Sequence, residues 1–345
     1  MLLTLALRNL VLRPWRSLLL LAGFGLGVGV MITLLSIGEA MVIQARDERL
    51  VGGGEVTVLP DGVDLEVLKT GGVGGLWFSV ANARFVFLQL LAAPRLRPLV
   101  TAAAPQMEGK LVYLRGARLG ELAVRASGEI PSATRAVGAA PTLVAGAWHD
   151  DDGDRRWTAP NDAQLRHDID RFHERPATVR NPDSWAEWHY FNVISADRQR
   201  WAFLTFMLAG DVPRGEWGGQ LLLSLHEAGK PERRYSRRID RSRVRYSTTD
   251  ADLTLDDAFV RVLPDGRYAV QARIPAEGGG AEATVDLVVA PAPRAYFPGT
   301  SLGSGDFVSG YVVAGLRASA TGTICAGARC ERYDEAQGYH DHNWG

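Results

Sequence analysis

The sequence has little of three features that assign a chain to a large functional class. Its formal net charge is −1 and its pI is near 6.7, so it lacks the basic excess with which proteins bind a phosphate backbone. It has only two cysteines, and they do not form the paired C-x-x-C pattern of a zinc knuckle. Only one apolar run is long enough to cross a membrane. We therefore expect no nucleic-acid partner.

The single long apolar run, residues 17–38, contains no charged side chain. About 20 apolar residues rising 1.5 Å each span a hydrocarbon core of roughly 30 Å, which predicts a transmembrane helix. Arg8, Arg13 and Arg16 precede the run, and this positive excess places the N-terminus in the cytoplasm. A cleaved signal peptide is the alternative, but its apolar core is shorter, about 7–15 residues. We predict a cytoplasmic lead-in (1–16), an anchor in the inner (plasma) membrane and a periplasmic remainder.

The two cysteines, Cys325 and Cys330, then lie on the oxidising side of the membrane, where a disulfide persists. We expect them to be bridged, with two free thiols as the alternative. Together with His340 and His342 they would make four zinc ligands, but the spacing does not support such a site. The sequence therefore predicts neither a metal nor another cofactor.

Residues 39–148 mix short strands (55–59, 110–114 and 121–126) with Gly and Pro breaks, which predicts a small α+β domain. The stretch ALRNLVLRPWRS (6–17) and the helix after it resemble the permease subunits of macrolide-exporter and lipoprotein-releasing type ABC transporters. This resemblance implies an ABC ATPase partner and an extracytoplasmic domain. That family has three further membrane helices after its external domain, and this sequence has no such run. We therefore expect that the chain is a fragment or that it has kept only the anchor of the family.

Residues 149–184 are predicted as a linker. Asp150, Asp152 and Asp154 suggest a calcium loop, but the later bidentate glutamate is missing, which favours a solvated charge run. A helix is expected at about 161–172, with Asn161 as its N-cap.

From residue 185 the apolar period changes to two, which is typical of strands. The predicted strands are 187–195, 200–208, 220–226, 243–248, 258–263, 268–274, 283–289 and 308–324. Many short strands with few helices predict a mainly β fold, a lipocalin-like sandwich or barrel over 185–345, whose interior suits an apolar ligand. A G-x-S-x-G match at 299–303 lacks a following helix, so we interpret it as a glycine-rich turn rather than a hydrolase nucleophile.

Two aromatic and histidine-rich strings stand out. In WAEWHYFN (185–192), alternation puts Glu187, His189 and Phe191 on one face and Trp188, Tyr190 and Asn192 on the other. This pattern fits either a core strand or the wall of a ligand cavity. In YHDHNWG (339–345), it puts His340, His342 and Trp344 opposite Tyr339, Asp341 and Asn343.

With the segment AYFPGTSLGSGDFVSGYV, these strings resemble the carotenoid 1,2-hydratases, also called hydroxyneurosporene synthases. That family includes lipocalin-like proteins that accompany ABC permeases, and its enzymes add water across an unactivated alkene. The resemblance places the His-x-Trp pair on His342 and Trp344, with His342 or Asp341 as proton donor and Trp344 as cation stabiliser. It implies ligand contacts from Trp188, His189, Tyr190, Tyr339 and His340. The family's further Tyr and Asp partners lie beyond this motif, so we expect a truncated site.

The sequence thus supports a membrane-anchored, extracytoplasmic component of an ABC-type transport system whose lipocalin-like domain binds a lipophilic isoprenoid or lipid. The alternative is a hydratase that acts on an isoprenoid double bond. A structural fusion without a ligand is a third hypothesis, and a filled barrel would favour it.

Overall fold

The computed structural model describes residues 14–46, 56, 58, 79–116, 120–138, 149–173, 175, 179, 183, 185–212, 214–304 and 307–345. Two compact units are present, one of Met1–Trp77 with Ala102–Trp148 and one of Phe78–Thr101 with His149–Gly345. The helices are α1 (Pro14–Arg46), α2 (Val80–Ala92), α3 (Pro131–Ala136), α4 (Asp152–Thr158) and α5 (Asp162–Ile169). The strands are β1 (Gln106–Gly116), β2 (Gly120–Glu129), β3 (Ala186–Ile194), β4 (Arg200–Asp211), β5 (Glu216–Glu227), β6 (Arg233–Asp240), β7 (Val244–Tyr246), β8 (Leu253–Leu255), β9 (Ala258–Val262), β10 (Tyr268–Ile274), β11 (Ala283–Pro291), β12 (Phe297–Ser304), β13 (Phe307–Ala326) and β14 (Arg329–Trp344).

The first unit contains the apolar helix. Helix α1 is longer than the predicted span of 17–38, and its stretch Pro14–Glu39 is long and apolar enough to anchor in a membrane. Leu19 and Phe24 are 70% and 75% exposed. A signal sequence near the N-terminus can also form a helix that is long and apolar enough to meet this description. Residues 1–13 of the predicted lead-in lie outside the described residues. Residues 55, 57 and 59 of the predicted strand at 55–59 also lie outside them.

Strands β1 and β2 form an antiparallel hairpin in the same unit, which agrees with the strands predicted at 110–114 and 121–126. The predicted α+β segment 39–148 does not stay together, however. Helix α2 groups with the β-rich unit, where its Phe85 packs edge-on against Tyr296, with ring centroids 5.2 Å apart.

The second unit is built from one antiparallel sheet. Its strand order is β6-β5-β4-β3-β14-β13-β11-β10-β9-β8-β7, with β12 added beside β13. The β6 edge meets the segment after β10 through two backbone hydrogen bonds, from Ser236 N–H to Pro275 O (3.2 Å) and from Glu277 N–H to Arg234 O (3.0 Å). The sheet is therefore a nearly closed barrel, which confirms the mainly β fold class.

Period-two alternation explains most of these strands. Along β3 and β5 every second residue is buried, including Phe191, Leu221 and Leu223. The predicted strands all have counterparts, and 268–274 matches β10 throughout. Strand β6 was missed because its sequence RRYSRRID is rich in arginine and has little apolar signal. The predicted turn at 299–303 is wrong, because these residues lie in β12, and β13 follows it.

Residues 149–173 are not the predicted linker, although most of the charge run at 149–156 is exposed, as expected. Helix α4 begins with a capping box in which Asp151 and Asp154 each accept the other's backbone N–H, which accounts for part of the acidic run. Helix α5 has the predicted N-cap, Asn161. Leu165 and Phe172 belong to the hydrophobic core, so this segment is part of the β unit.

One hydrophobic cluster runs through the described interior of the barrel. Its largest fully buried apolar members are Phe172, Phe191, Phe206, Leu221, Leu223, Leu253, Leu255, Ile274 and Leu287. Side chains fill this part of the interior, so it offers an apolar ligand little room. At the turn between β13 and β14, Cys325 and Cys330 form the predicted disulfide.

Candidate functional site

Six acidic and histidine side chains meet at one place in the core. We call them the histidine-carboxylate cluster; its members are Asp170, His173, Glu187, His189, His340 and His342. The side chains of five are at most 3% exposed, whereas His173 is 28% exposed. Burying charged groups costs several kcal/mol per ion unless partners compensate, so such a concentration favours a functional role.

Two neighbouring strands supply four of these side chains. Strand β14 pairs with β3 in antiparallel register, so that His342 lies opposite His189 and Trp344 lies opposite Glu187. Since alternate residues point to one face, Glu187 joins His189, and His340 joins His342, on the buried side.

The segment after α5 supplies the other two. Asp170 is the C-cap of α5, and its backbone N–H donates to Arg166 O. Two residues later, Phe172 N–H donates to Ser247 O at 3.2 Å, which holds the chain against the segment after β7. Asp170 and His173 therefore enter the core from a segment distant in sequence from both strands.

Asp170 is the centre of the cluster. Its Oδ2 accepts a hydrogen bond from the Tyr268 hydroxyl (2.7 Å) and lies 2.8 Å from His340 Nε2, while its Oδ1 lies 3.0 Å from His342 Nδ1. Burial alone would raise the pKa of Asp170, but attraction by His340 and hydrogen bonds from His340 and His342 hold it well below its usual value. The carboxyl group is therefore ionised.

His342 lies between the two carboxylates. Its Nε2 is 2.9 Å from Glu187 Oε1, although the contact falls outside hydrogen-bond geometry. Burial lowers the pKa of His342, but Asp170 and Glu187 outweigh it and raise that pKa to about 9. Glu187 Oε1 also accepts from the backbone N–H of His173 (2.8 Å) and lies 2.9 Å from its Nδ1. These partners overcome the effect of burial and lower the pKa of Glu187.

Aromatic rings enclose the His342 imidazole. Trp344 stacks on His173 with centroids 3.7 Å apart and planes inclined by 20°, and the two rings lie 5.9 Å and 5.8 Å from that of His342. Phe172 packs on another side at 4.9 Å. Because His173 is the most exposed member of the cluster, solvent reaches the cluster from the side of the Trp344-His173 stack.

His189 differs from the other histidines. Its ring is fully buried, and neither Nδ1 nor Nε2 has a hydrogen-bond partner among the described residues. Burial and the neighbouring His342 lower its pKa well below the usual value, so the ring is neutral.

The structure brings together only some of the residues predicted for the site. His189, His340, His342 and Trp344 share the buried face. Trp188, Tyr190, Tyr339 and Asp341 point to the opposite face of the same strands. Asp341 accepts from Asn343 Nδ2 at 2.6 Å. Asp341, the alternative proton donor, therefore points away from the cluster that contains His342, since adjacent strand residues point in opposite directions.

Sequence reasoning missed Asp170, His173 and Tyr268 as members of the site. Asp170 and His173 occur in HDIDRFHE, a charged stretch interpreted as linker. One local signal could have predicted that this stretch is buried. It combines two histidines and acidic residues with Phe172, an apolar residue that is unusual in a solvated linker. The G-x-S-x-G segment lies in β12 and continues into β13, without the strand-turn-helix context of a nucleophile elbow.

No family model matches this chain, and no curated protein matches it. Among solved structures, a candidate AttH protein from Nitrosomonas europaea is similar over 50% of this chain and 55% of its own length, with 14% identity and a TM-score of 0.34. CghA in complex with Sch210972 is similar over 54% of this chain and 53% of its own, with 13% identity and a TM-score of 0.28. The chain thus spans about half the length of each. Likeness at this level assigns no function.

Proposed function

We propose that the β-rich unit is a membrane-tethered, extracytoplasmic catalytic domain that transfers a proton to a lipophilic unsaturated molecule. The observation that carries this proposal is His342, whose two ring nitrogens face Asp170 and Glu187 while Trp344 lies beside it. Hydration of an isoprenoid double bond is the specific reaction that the hydratase resemblance implies.

The arrangement suits an alkene hydration. The His342 imidazolium gives its proton to one alkene carbon, and the other carbon becomes cationic. The face of an indole stabilises a cation within about 6 Å; Trp344 has one face stacked on His173 and meets the His342 ring in a T-shaped contact. Water then adds to the cation, and its extra proton returns to the cluster, so that alkene and water give an alcohol. Asp170 accepts a hydrogen bond from the buried Tyr268 hydroxyl, which holds the carboxylate beside His342.

The second candidate is a binding component of an ABC-type transport system that holds a lipophilic molecule without changing it. The exposed apolar helix α1 suits a membrane tether for this candidate, as it does for the first. In this case an ATPase partner acts with the transport system, and the cluster only positions the molecule. The filled barrel interior leaves little room for the molecule, which weighs against this candidate and the first alike.

The test is turnover by the full chain in detergent micelles, supplied with an acyclic isoprenoid in ¹⁸O-labelled water. We expect an alcohol that carries one heavy oxygen. His342→Gln should lower the rate at least about 100-fold, the usual contribution of a general acid, and Trp344→Leu should also lower it.

His226→Gln is the matched control. His226 is a half-buried histidine that stacks on Trp201, remote from the cluster, and its replacement should leave the rate unchanged. Binding of the isoprenoid without product would support the second candidate. Neither binding nor product with acyclic isoprenoids would refute both.

A further inference from the structure

Three members of the cluster form a set of their own, which we call the Asp170 triad: Asp170, His189 and His340. All three are buried, and one ligand atom from each lies within 4.8 Å of the other two. His340 Nε2 is 2.8 Å from Asp170 Oδ2, and His189 Nδ1 is 3.6 Å from Asp170 Oδ1. Around a tetrahedral zinc ion with bonds of about 2.1 Å, ligand atoms lie roughly 3.4 Å apart. The two measured distances lie on either side of that value, although they run to different oxygens of the Asp170 carboxylate.

The orientation of His340 leaves one nitrogen for a cation. Its Nδ1 lies 2.9 Å from the backbone carbonyl oxygen of Tyr190, which can only accept, so Nδ1 carries a hydrogen. In the neutral ring, Nε2 then presents a lone pair to the Asp170 carboxylate, which is also an acceptor. Either a second proton or a metal ion must lie between them. A histidine whose other nitrogen donates to a backbone carbonyl has the usual arrangement of a metal ligand.

His189 is the independent observation. It is fully buried, and both of its ring nitrogens lack a hydrogen-bond partner among the described residues. A buried polar atom without a partner is rare in a native structure, and an unseen ion or water is a usual explanation. A metal ion bound by His189 Nδ1 would supply the missing partner on the side that faces Asp170.

The other three members, His173, Glu187 and His342, form a second set with ligand atoms within 4.8 Å of one another, and His342 Nε2 has no hydrogen-bond partner there among the described residues. Glu187 Oε1 accepts from the backbone of His173 and contacts its ring nitrogen, so this pair is satisfied by hydrogen bonds. His342 Nδ1 lies 3.0 Å from Asp170 Oδ1, but His342 is not part of the triad set, in which one ligand atom from each residue lies within 4.8 Å of the others.

We propose that the Asp170 triad binds one divalent transition-metal ion of the zinc class. Two imidazoles with one carboxylate are a ligand set that such ions accept, whereas calcium and magnesium prefer oxygen ligands. The inference departs from the expectation of a metal-free chain. It does not rest on the proposed hydration, because metal binding is measured without substrate.

The test uses the full chain in detergent micelles after treatment with a chelator. Co²⁺ is titrated first, because its visible absorption reports a tetrahedral site, and Zn²⁺ is then added in competition. We expect one ion per chain. His189→Gln and His340→Gln should each weaken binding at least 100-fold, whereas the control His226→Gln should bind as the wild type does.

A second measurement covers variants that fail to fold. X-ray absorption at the zinc edge of the wild-type protein should show imidazole nitrogens at about 2.0–2.1 Å. The proposal is overturned if the wild type binds neither ion, if both triad variants bind as tightly as wild type, or if the zinc spectrum lacks imidazole. Metal binding without turnover would refute the proposed hydration and leave this inference standing.

Discussion

Gly310 determines whether Trp344 can occupy its place in the candidate site. The two residues are paired across β13 and β14. A Cβ atom added at Gly310 would lie 2.3 Å from Cε2 and Cζ2 of the Trp344 ring and 2.5 Å from its Nε1. Such distances are far inside van der Waals contact. The ring cannot easily move away, because it is 6% exposed and stacks on His173. We therefore expect Gly310→Ala to displace Trp344 from His342.

The expected magnitude follows from these contacts. Overpacking a well-packed site costs typically about 1–3 kcal/mol, and losing an aromatic stack costs about 0.5–1.5 kcal/mol more. Gly315 is the matched control on the same strand, since its added Cβ would meet its nearest neighbours at 3.5 Å, an ordinary contact. Both variants gain the same small benefit of replacing glycine in a strand. The free energy of unfolding of Gly310→Ala should therefore be about 2–4 kcal/mol lower than that of Gly315→Ala.

Urea unfolding of the full chain in detergent, followed by the β-sheet circular dichroism signal, measures this difference. The Gly310→Ala variant should also lose turnover if the proposed function is right, because Trp344 no longer lies beside His342. Equal urea midpoints for the two alanine variants would show that the ring moves freely, and the steric argument would then be wrong.

Two further predictions concern the β unit. Leu221→Ala removes a side chain with 0% exposure from the core and should cost about 2–5 kcal/mol in urea unfolding; Leu316→Ala, at 59% exposure, should change stability by less than about 0.5 kcal/mol. If the two cost the same, the described core packing is incorrect. Cys325→Ser opens the short loop closed with Cys330 and should cost about 2 kcal/mol, as should reduction of the wild type. A reductant that leaves the melting temperature unchanged would contradict this value.

Local pattern was sufficient for most of the second unit. The strands at 187–195, 200–208 and 268–274 were predictable because half-buried strands alternate apolar and polar residues. The same alternation correctly separated His340 and His342 from Asp341. The N-cap at Asn161 was also predictable, because capping depends on side chains only three residues apart.

Strand β6 and the segment after α5 show where local pattern is insufficient. Strand β6 is held by its pairing with β5 rather than by an apolar signal of its own. In the same way, Asp170 and His173 look like members of a solvated charge run until the fold places them in the core. Composition predicts exposure only when no tertiary partner compensates for burial of the charge.

The sequence by itself therefore determined the strand-rich fold class, the apolar N-terminal helix and the face on which each histidine of β3 and β14 lies. Only the tertiary structure decided which groups meet there. His340 and Asp170 are 170 residues apart, and their contact at 2.8 Å depends on β14 pairing with β3 and on the chain after α5 turning into the barrel. The register between such distant segments is set by closure of the sheet and packing of the core, which no local periodicity encodes.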